Sequence, residues 1–271
     1  MQYKKFLLWF APILLFITTK ALSETVILTI PTVSEIPRQK EYFHELLTTA
    51  LLESGHTPIL TNKTYPQKRV IQQLDSGNLS LFWMISSKQR DEKYIPVKVN
   101  LTQQLIGKRI LFIRHGDQHL YDNVKTLADF RNLHLIAGMG MNWFDSTVWK
   151  VNGLDYKEKE GNWKGIFKMI PRGHSYDYFA RGINEIVSEA SQYPDLDIEK
   201  NLAFIYERDF QFYLSKEGVN AGKPYQKVLT EALQNAQATG LLSRLAEKYW
   251  GNNLKQLNYE QRTKIYLPLE K

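Results

Sequence analysis

The sequence predicts an α/β fold, and three observations support this prediction. Short β-branched or apolar runs alternate with helical patterns over residues 24–85, and the alternation starts again at residue 108. The chain contains no cysteine, so its stability must come from an apolar core, and 43% of its residues are hydrophobic. Strands that alternate with helices favour mostly parallel sheets that are covered by helices.

The first part of the chain predicts three strands and two helices. TVILTIP is rich in β-branched residues and ends at a proline. From Lys40 to Ser54 apolar residues recur at helical spacing, and Gly55 is placed to end that helix. The predicted elements here are strands at 25–31, 57–62 and 79–85 and helices at 40–54 and 65–77.

The second part of the chain repeats the alternation. KRILFIR is a predicted strand, and LHLIAGMG is a strand that runs into a glycine turn. No low-complexity linker separates the two parts, so we expect strands to cross between them. The predicted elements are strands at 108–114 and 133–140, extended runs within 202–215, and helices at 126–132, 184–194 and, as a pair, within 224–249.

The N-terminus has the pattern of a secretory signal peptide over residues 1–23. Two lysines precede 12 apolar residues, 6–17, which are too few to span a hydrocarbon core of roughly 30 Å as a helix. We expect cleavage after Ser23 and export to the periplasm. Removal of three of the 35 basic residues leaves 32 against 28 acidic ones, a net charge of +4. These charges are interspersed, which does not favour a nucleic-acid partner.

Metal and nucleophile chemistry finds little support in the sequence. The absence of cysteine excludes thiolate zinc sites and cysteine nucleophiles. His115 and His119 lie in a predicted loop, and the pair His174 and Asp177 lacks further ligands or a nucleophile motif. We therefore predict no catalytic residue, no metal and no cofactor.

Several motifs together resemble a known family. They are SSKQRDEKYIPVKVNLTQQLIGKRILFIR with its S-x-x-R, the glycine turn AGMGMNWFDS, the pattern SYDYFARGINE, and the helix pair in LTEALQNAQATGLLSRLAEKYWG. The chain resembles the type II periplasmic solute-binding proteins of family 3, in a divergent branch. The resemblance implies a two-lobed Venus-flytrap fold with a hinge. Lobe one would comprise residues 24–101 and 209–271, and lobe two, with the hinge crossovers, residues 102–208.

The resemblance also implies ligand-binding residues. Arg90 matches the arginine that grips a ligand carboxylate, with Ser86 nearby at the end of the same strand. An exposed arginine among other charged residues is the alternative. The AGMGMNWFDS turn lacks the third glycine of a dinucleotide motif, which argues against nucleotide binding. We expect its backbone N–H groups at Gly140, Met141 and Asn142 to meet a ligand carboxylate, and an ordinary strand-to-helix turn is the alternative. The predicted aromatic walls are Trp143 and Trp83; core packing is the alternative for Trp83.

The position at which amino acid receptors of this family carry an aspartate for the ligand amine falls on Arg181 or Gly182. If Arg90 and Arg181 both face the cleft, an anionic ligand is expected, because two buried cations need compensation. The alternative is that Arg181 pairs with Glu185 and has a structural role only.

These features predict a monomeric, exported protein, not an enzyme, that captures a small polar or anionic metabolite and delivers it to the permease subunits of an ABC-type transporter. A sensor that reports its ligand to a signalling partner is a second interpretation. A dehydratase-like enzyme on the same scaffold is a third, and Glu185 is its one candidate proton donor.

Overall fold

The computed structural model describes residues 23–36, 39–173 and 175–269. The predicted signal peptide, apart from Ser23, and His174 lie outside these residues. Among the residues described, no helix combines the length and apolar character needed to cross a membrane. The strands are β1 (Thr25–Val33), β2 (Thr57–Tyr65), β3 (Leu81–Ile85), β4 (Ile95–Val97), β5 (Lys108–Arg114), β6 (Ala137–Gly140), β7 (Tyr156–Lys159), β8 (Tyr178–Gly182), β9 (Leu196–Ile198), β10 (Leu202–Ile205), β11 (Phe210–Leu214) and β12 (Thr263–Tyr266). The α-helices are α1 (Gln39–Glu53), α2 (Gln67–Asp75), α3 (Lys88–Lys93), α4 (Leu127–Arg131), α5 (Phe144–Val151), α6 (Gly165–Met169), α7 (Ile183–Ala190), α8 (Gln226–Ala238), α9 (Leu241–Trp250) and α10 (Asn253–Gln256).

Lobe one packs helices α1, α8 and α9 against the strands β1, β3, β4 and β11. In the first half of β1, alternate residues point to opposite faces, so Val26 and Leu28 are buried whereas Ile27 is exposed. The predicted apolar stripe of α1 is confirmed. The residues that form it and enter this core are Tyr42, Phe43, Leu46, Leu47, Ala50 and Leu51. β2 runs parallel to β1 at the edge, and β11 lies antiparallel between β3 and β4.

Lobe two is built on a seven-stranded sheet in the order β12-β10-β5-β8-β6-β7, with β9 beside β5. Its helices α5, α6 and α7 contribute to two apolar clusters that share this sheet. The two-lobed α/β prediction is confirmed, but the sheets are mixed and not mostly parallel. Five of the nine strand pairings in the described residues are antiparallel. The chain leaves lobe one along β4 and returns along β11, so these two strands run in opposite directions. It enters lobe two along β5 and leaves along β10, and these two strands are antiparallel for the same reason.

Residues 253–269 belong to lobe two, and the prediction that residues 209–271 belong to lobe one is wrong for them. β12 runs parallel to β10 at the edge of the lobe-two sheet. Ile265 and Leu267 enter one lobe-two core cluster, and Leu257 and Tyr259 enter the other. The segment covers an edge of β10 and completes the lobe-two core, and neither of these partners is visible in the sequence of the segment itself.

The hinge region joins its two crossovers through a buried carboxylate. Asp209 is 1% exposed, and its oxygens accept hydrogen bonds from the Thr102 N–H (3.1 Å), the Thr102 hydroxyl and the Gln104 N–H (2.8 Å). Gln103 and Gln104 both have left-handed backbone conformations, with φ of 53° and 60°, which cost energy for residues with a side chain. The Asp209 carboxylate therefore stabilises a strained turn in the first crossover.

Candidate functional site

Arg90 lies at the edge of lobe one that faces the other lobe. β3 ends at Ile85, and the Ser87 hydroxyl caps α3 by accepting the Arg90 N–H at 3.3 Å. The guanidinium donates to the Ile85 carbonyl and is half-buried. Among the residues that the structure describes, no carboxylate lies within ion-pair distance of it. Arg90 thus keeps most of its donors available.

The electrostatic surroundings of Arg90 include both lobes. Burial lowers the pKa of Arg90, and electrostatic interactions with Tyr213 in lobe one and with Asp145 and Tyr206 in lobe two act in the opposite direction. Asp145 therefore lies near enough to Arg90 to affect its pKa, although the two side chains form no ion pair.

The wall of lobe two opposite Arg90 holds a second arginine that is fully paired. Arg109, on β5, is 2% exposed and binds the Asp145 carboxylate at 2.9 Å. The Tyr206 hydroxyl accepts from the Arg109 guanidinium at 2.7 Å and donates to Asp145 at 3.0 Å. Burial alone would lower the pKa of Arg109, but Asp145, Tyr206 and Glu185 together hold it above its ordinary value. Sequence reasoning missed this triad; the signal was an arginine inside the apolar run KRILFIR.

Arg181 is the third arginine, and it is also paired. It ends β8, is 3% exposed, and forms a two-pronged contact with Glu189 at 2.7 and 2.8 Å and a further one with Glu185 at 3.1 Å. Its guanidinium lies over the rings of Trp143, Trp163 and Phe179 at 4.9–5.3 Å from their centroids. The pairing with Glu185 is confirmed. The argument for an anionic ligand required two uncompensated cations, and Arg181 does not supply one.

The cluster formed by Arg109, Arg181, Asp145, Glu185 and Glu189 contains three carboxylates and two guanidiniums. Burial raises the pKa of Glu189, against the lowering effect of Arg181. With all five groups ionised, the cluster carries one excess negative charge. We call it the lobe-two charge cluster, and Arg90 is the cation that faces it from lobe one.

The predicted glycine turn follows β6. Gly140 ends the strand, and a Cβ there would lie 2.3 Å from the Trp143 indole, so only glycine fits beneath that ring. Asn142 has φ of 63°, and the Trp143 N–H closes the turn onto the Gly140 carbonyl at 3.1 Å. Met141 and Asn142 are exposed, and Trp143 is half-buried at the start of α5. Ligand contacts from this turn remain predictions.

Trp83 and Ser86 have different surroundings. Trp83 is 2% exposed, stacks on Phe43 with 4.3 Å between centroids, and donates its indole N–H to the Gln39 side chain at 3.0 Å. This packing matches the core alternative, and a role as a ligand wall has no exposed surface to support it. Ser86 is half-buried, and its N–H donates to the Asp209 carbonyl at 2.9 Å, so it connects the Arg90 loop to the hinge.

The remaining candidates lie elsewhere on lobe two. His115 is exposed and contacts Asp197 at 3.0 Å, and His119 lies in the same loop. In the described ranges, no group of three or more side chains of the metal-binding types is arranged so that it could hold a metal ion. Two surface cavities of about 400 and 550 Å³ surround α6 and the turn after α7, and their linings contain no lobe-one residue.

Comparison with solved structures places this fold among known ones. The probable amino-acid ABC transporter extracellular-binding protein YtmK from Bacillus subtilis matches with a TM-score of 0.63 and 15% identity, over 85% of this chain and 100% of that one. An amino acid ABC transporter substrate-binding protein from Streptococcus pneumoniae, bound to L-arginine, matches with a TM-score of 0.59 and 12% identity, over 83% and 94%. The chain has the two-lobed periplasmic-binding-protein fold. An ancestral arginine-binding protein bound to arginine matches with a TM-score of 0.57 and 14% identity, over 83% and 98%.

Neither the protein-family models nor the curated proteins contain a match to this sequence. At 12–15% identity, these structural matches show the fold alone. The binding chemistry must therefore be argued from the side chains of this chain.

Proposed function

We propose that this protein binds a small solute with a carboxylate group between its two lobes and delivers it to an ABC-type transporter. The observation that carries the proposal is Arg90, a half-buried guanidinium without an ion-pair partner among the described residues. A guanidinium removed from water needs an anion, and a carboxylate can accept two parallel hydrogen bonds from it.

The lobe-two charge cluster refines the class of solute. Arg109 and Arg181 are already compensated by the carboxylates of this cluster, so Arg90 is left to bind one carboxylate, which disfavours a dianion. The carboxylates of the cluster favour a positive group on the same solute. An amino acid has both. An amino acid falls within the polar or anionic class that the sequence predicted, but the anionic case required Arg181 to face the cleft, and Arg181 is neutralised inside lobe two.

Export and transport belong to the same proposal. The pattern of residues 1–23 supports secretion to the periplasm, and the neighbours named above are binding proteins of amino acid ABC transporters. Transporter permease subunits would be the partners of a monomeric binding protein, and a signalling partner is the alternative receiver.

The enzyme alternative depended on Glu185. Its oxygens are engaged by Arg109 at 3.3 Å, Arg181 at 3.1 Å and the Gly182 N–H at 3.1 Å. A proton donor has to reach its substrate, and this carboxylate is committed to structural partners. The surroundings of Glu185 therefore argue against a role as a catalytic proton donor.

A thermal-shift screen of amino acids and mono- and dicarboxylates tests the proposal. A ligand at 100 times its dissociation constant stabilises the protein by about 2.7 kcal/mol, which raises the unfolding midpoint. We expect a zwitterionic hit whose effect is lost in Arg90→Ala and kept in Arg69→Ala, an exposed arginine of the same lobe. A ligand that stabilises Arg90→Ala as well as the wild type would refute the assignment of Arg90. Turnover of the ligand, detected by mass spectrometry, would favour the enzyme.

A further inference from the structure

The C-terminal segment crosses from one lobe to the other. α9 buries Leu241, Leu242 and Leu245 in the lobe-one core. The next helix, α10, packs against α7 of lobe two, where the Asn253 side chain donates to the Ile183 carbonyl at 2.7 Å. The chain therefore passes between the lobes a third time, in addition to the crossovers before β5 and after β10.

The far end of this segment is firmly docked. Arg262 is buried and donates to the backbone carbonyls of Leu257 (2.7 Å), Glu199 (2.5 Å) and Leu202 (2.9 Å). β12 then extends the sheet beside β10, and the Leu267 N–H donates to Ile205 at 2.7 Å. Detaching the segment would break these bonds and expose its core side chains.

The near end is equally fixed. Trp250 packs against the core clusters of both lobes and lies 4.3 Å from the Tyr42 ring, measured between centroids. The Tyr42 hydroxyl donates to the Leu101 carbonyl at the start of the first crossover. Trp250 thus lies beside the hinge, at the point where the lobes meet.

The chain between the two anchors is short. Only Gly251 and Asn252 separate α9 from α10, and both take part in helical turns, through Gly251 N–H to Glu247 (2.9 Å) and Gln256 N–H to Asn252 (3.0 Å). From Trp250 to Asn253 an extended chain spans at most about 11 Å, against about 5 Å in a helical turn. When the lobes separate, this connection can therefore lengthen by only a few ångströms.

We propose that residues 250–253 form a third connection between the lobes, which limits how far the two lobes open. Rotation about the two crossovers must stretch this short connection or undock one of its ends. The resting protein therefore samples a narrow range of open states. The inference concerns the ligand-free protein and does not depend on the identity of the solute.

The test lengthens the connection without removing any contact. A six-residue glycine–serine insertion between Gly251 and Asn252 adds up to about 20 Å of reach. The same insertion after Gly161, in an exposed turn of lobe two, is the matched control. The chain has no cysteine, so Lys88→Cys and Thr147→Cys, both exposed and on different lobes, give two unique spin-label sites for distance measurement by electron paramagnetic resonance.

We expect the ligand-free distance distribution to shift outward by about 5 Å or more in the hinge insertion and to stay unchanged in the control. Equal distributions in both insertion variants and the parent protein would overturn the proposal. If the six-residue variant loses its cooperative unfolding transition, a three-residue insertion at the same place is judged by the same criterion. Since no ligand is present, a failure here leaves the proposed function untouched.

Discussion

Arg90 and Arg181 are both largely withdrawn from water, yet the two lobes treat them differently. Lobe two surrounds Arg181 with two carboxylates and three aromatic rings. Lobe one gives the Arg90 guanidinium one backbone carbonyl. An arginine that is compensated within its own lobe contributes to stability, whereas one that is left open at the boundary between lobes is available to a ligand.

The largest effect that tests this comparison is the loss of Arg181. Arg181→Met leaves Glu189 buried without a cation, whereas Glu185 keeps Arg109, and we expect the free energy of unfolding to fall by about 3–5 kcal/mol. Arg90→Met is the matched control and should cost about 1 kcal/mol, the value of one hydrogen bond. Urea unfolding measures both. Equal losses in the two variants would remove the distinction between the arginines.

Removal of a partner carboxylate sharpens the same point. In Arg181→Met/Glu189→Leu the unpaired charge of Glu189 is gone, so we expect a recovery of about 2 kcal/mol relative to Arg181→Met alone. A double-mutant cycle by urea unfolding gives this coupling energy. Strict additivity of the two single losses would show that the pair is not energetically coupled.

Asp209 shows a third way to hold a buried charge, with hydrogen bonds and no cation. Asp209→Asn replaces one acceptor oxygen by a donor, and we expect a loss of about 1–3 kcal/mol in the free energy of unfolding. Burial raises the pKa of Asp209, against the lowering effect of its hydrogen bonds. Proton binding by Asp209 therefore adds to the free energy of unfolding. This contribution is fully present below the pKa that Asp209 has in the unfolded chain, and it is lost as pH rises through its pKa in the folded protein.

The asparagine does not titrate. The stability that Asp209→Asn loses relative to the wild type should therefore be largest near pH 4 and smaller near pH 7. Urea titrations of both proteins at these two pH values check this expectation. A deficit that grows with pH would contradict the raised pKa of Asp209.

The smallest effect is expected for an exposed pair. Glu45 binds Lys248 at 2.7 Å and accepts from Tyr249 at 2.6 Å, and these contacts lower its pKa. A lowered pKa means that its stabilisation is present above the unfolded pKa and is lost as pH falls through the folded one. Glu45→Gln should therefore cost less than about 1 kcal/mol at neutral pH, less again at high salt, and nothing at strongly acid pH. Thermal unfolding in two salt concentrations measures it.

Local patterns predicted the elements that carry their own periodicity or β-branched runs. β1, β5, α1 and the pair α8 and α9 appear where the sequence predicted them. β12 was missed because it has four residues, and its pairing with β10 depends on an edge that lies 61 residues away in sequence. The mixed sheet order was missed for a related reason, since strand direction depends on where the chain crosses between the lobes.

The candidate site divides in the same way. The S-x-x-R motif, through its resemblance to family 3 binding proteins, marked Arg90 as a ligand-binding candidate, and this role stays a prediction. The partners of Arg181 could not be identified fully, because Glu185 is one helical turn away but Glu189 is two, and the three rings come from three different segments. Arg109, Asp145 and Tyr206 are distant in sequence and form a network only in the folded chain.

The sequence by itself determined the α/β class, which depends on short-range periodicity, and through the family resemblance of its contiguous motifs it predicted the two-lobed arrangement and marked Arg90 in α3 as a candidate. The tertiary structure alone decided which arginine remains open and to which lobe the C-terminus returns. Compensation of charge and burial of an edge strand depend on what lies a few ångströms away in space, and separation along the chain carries little information about that distance.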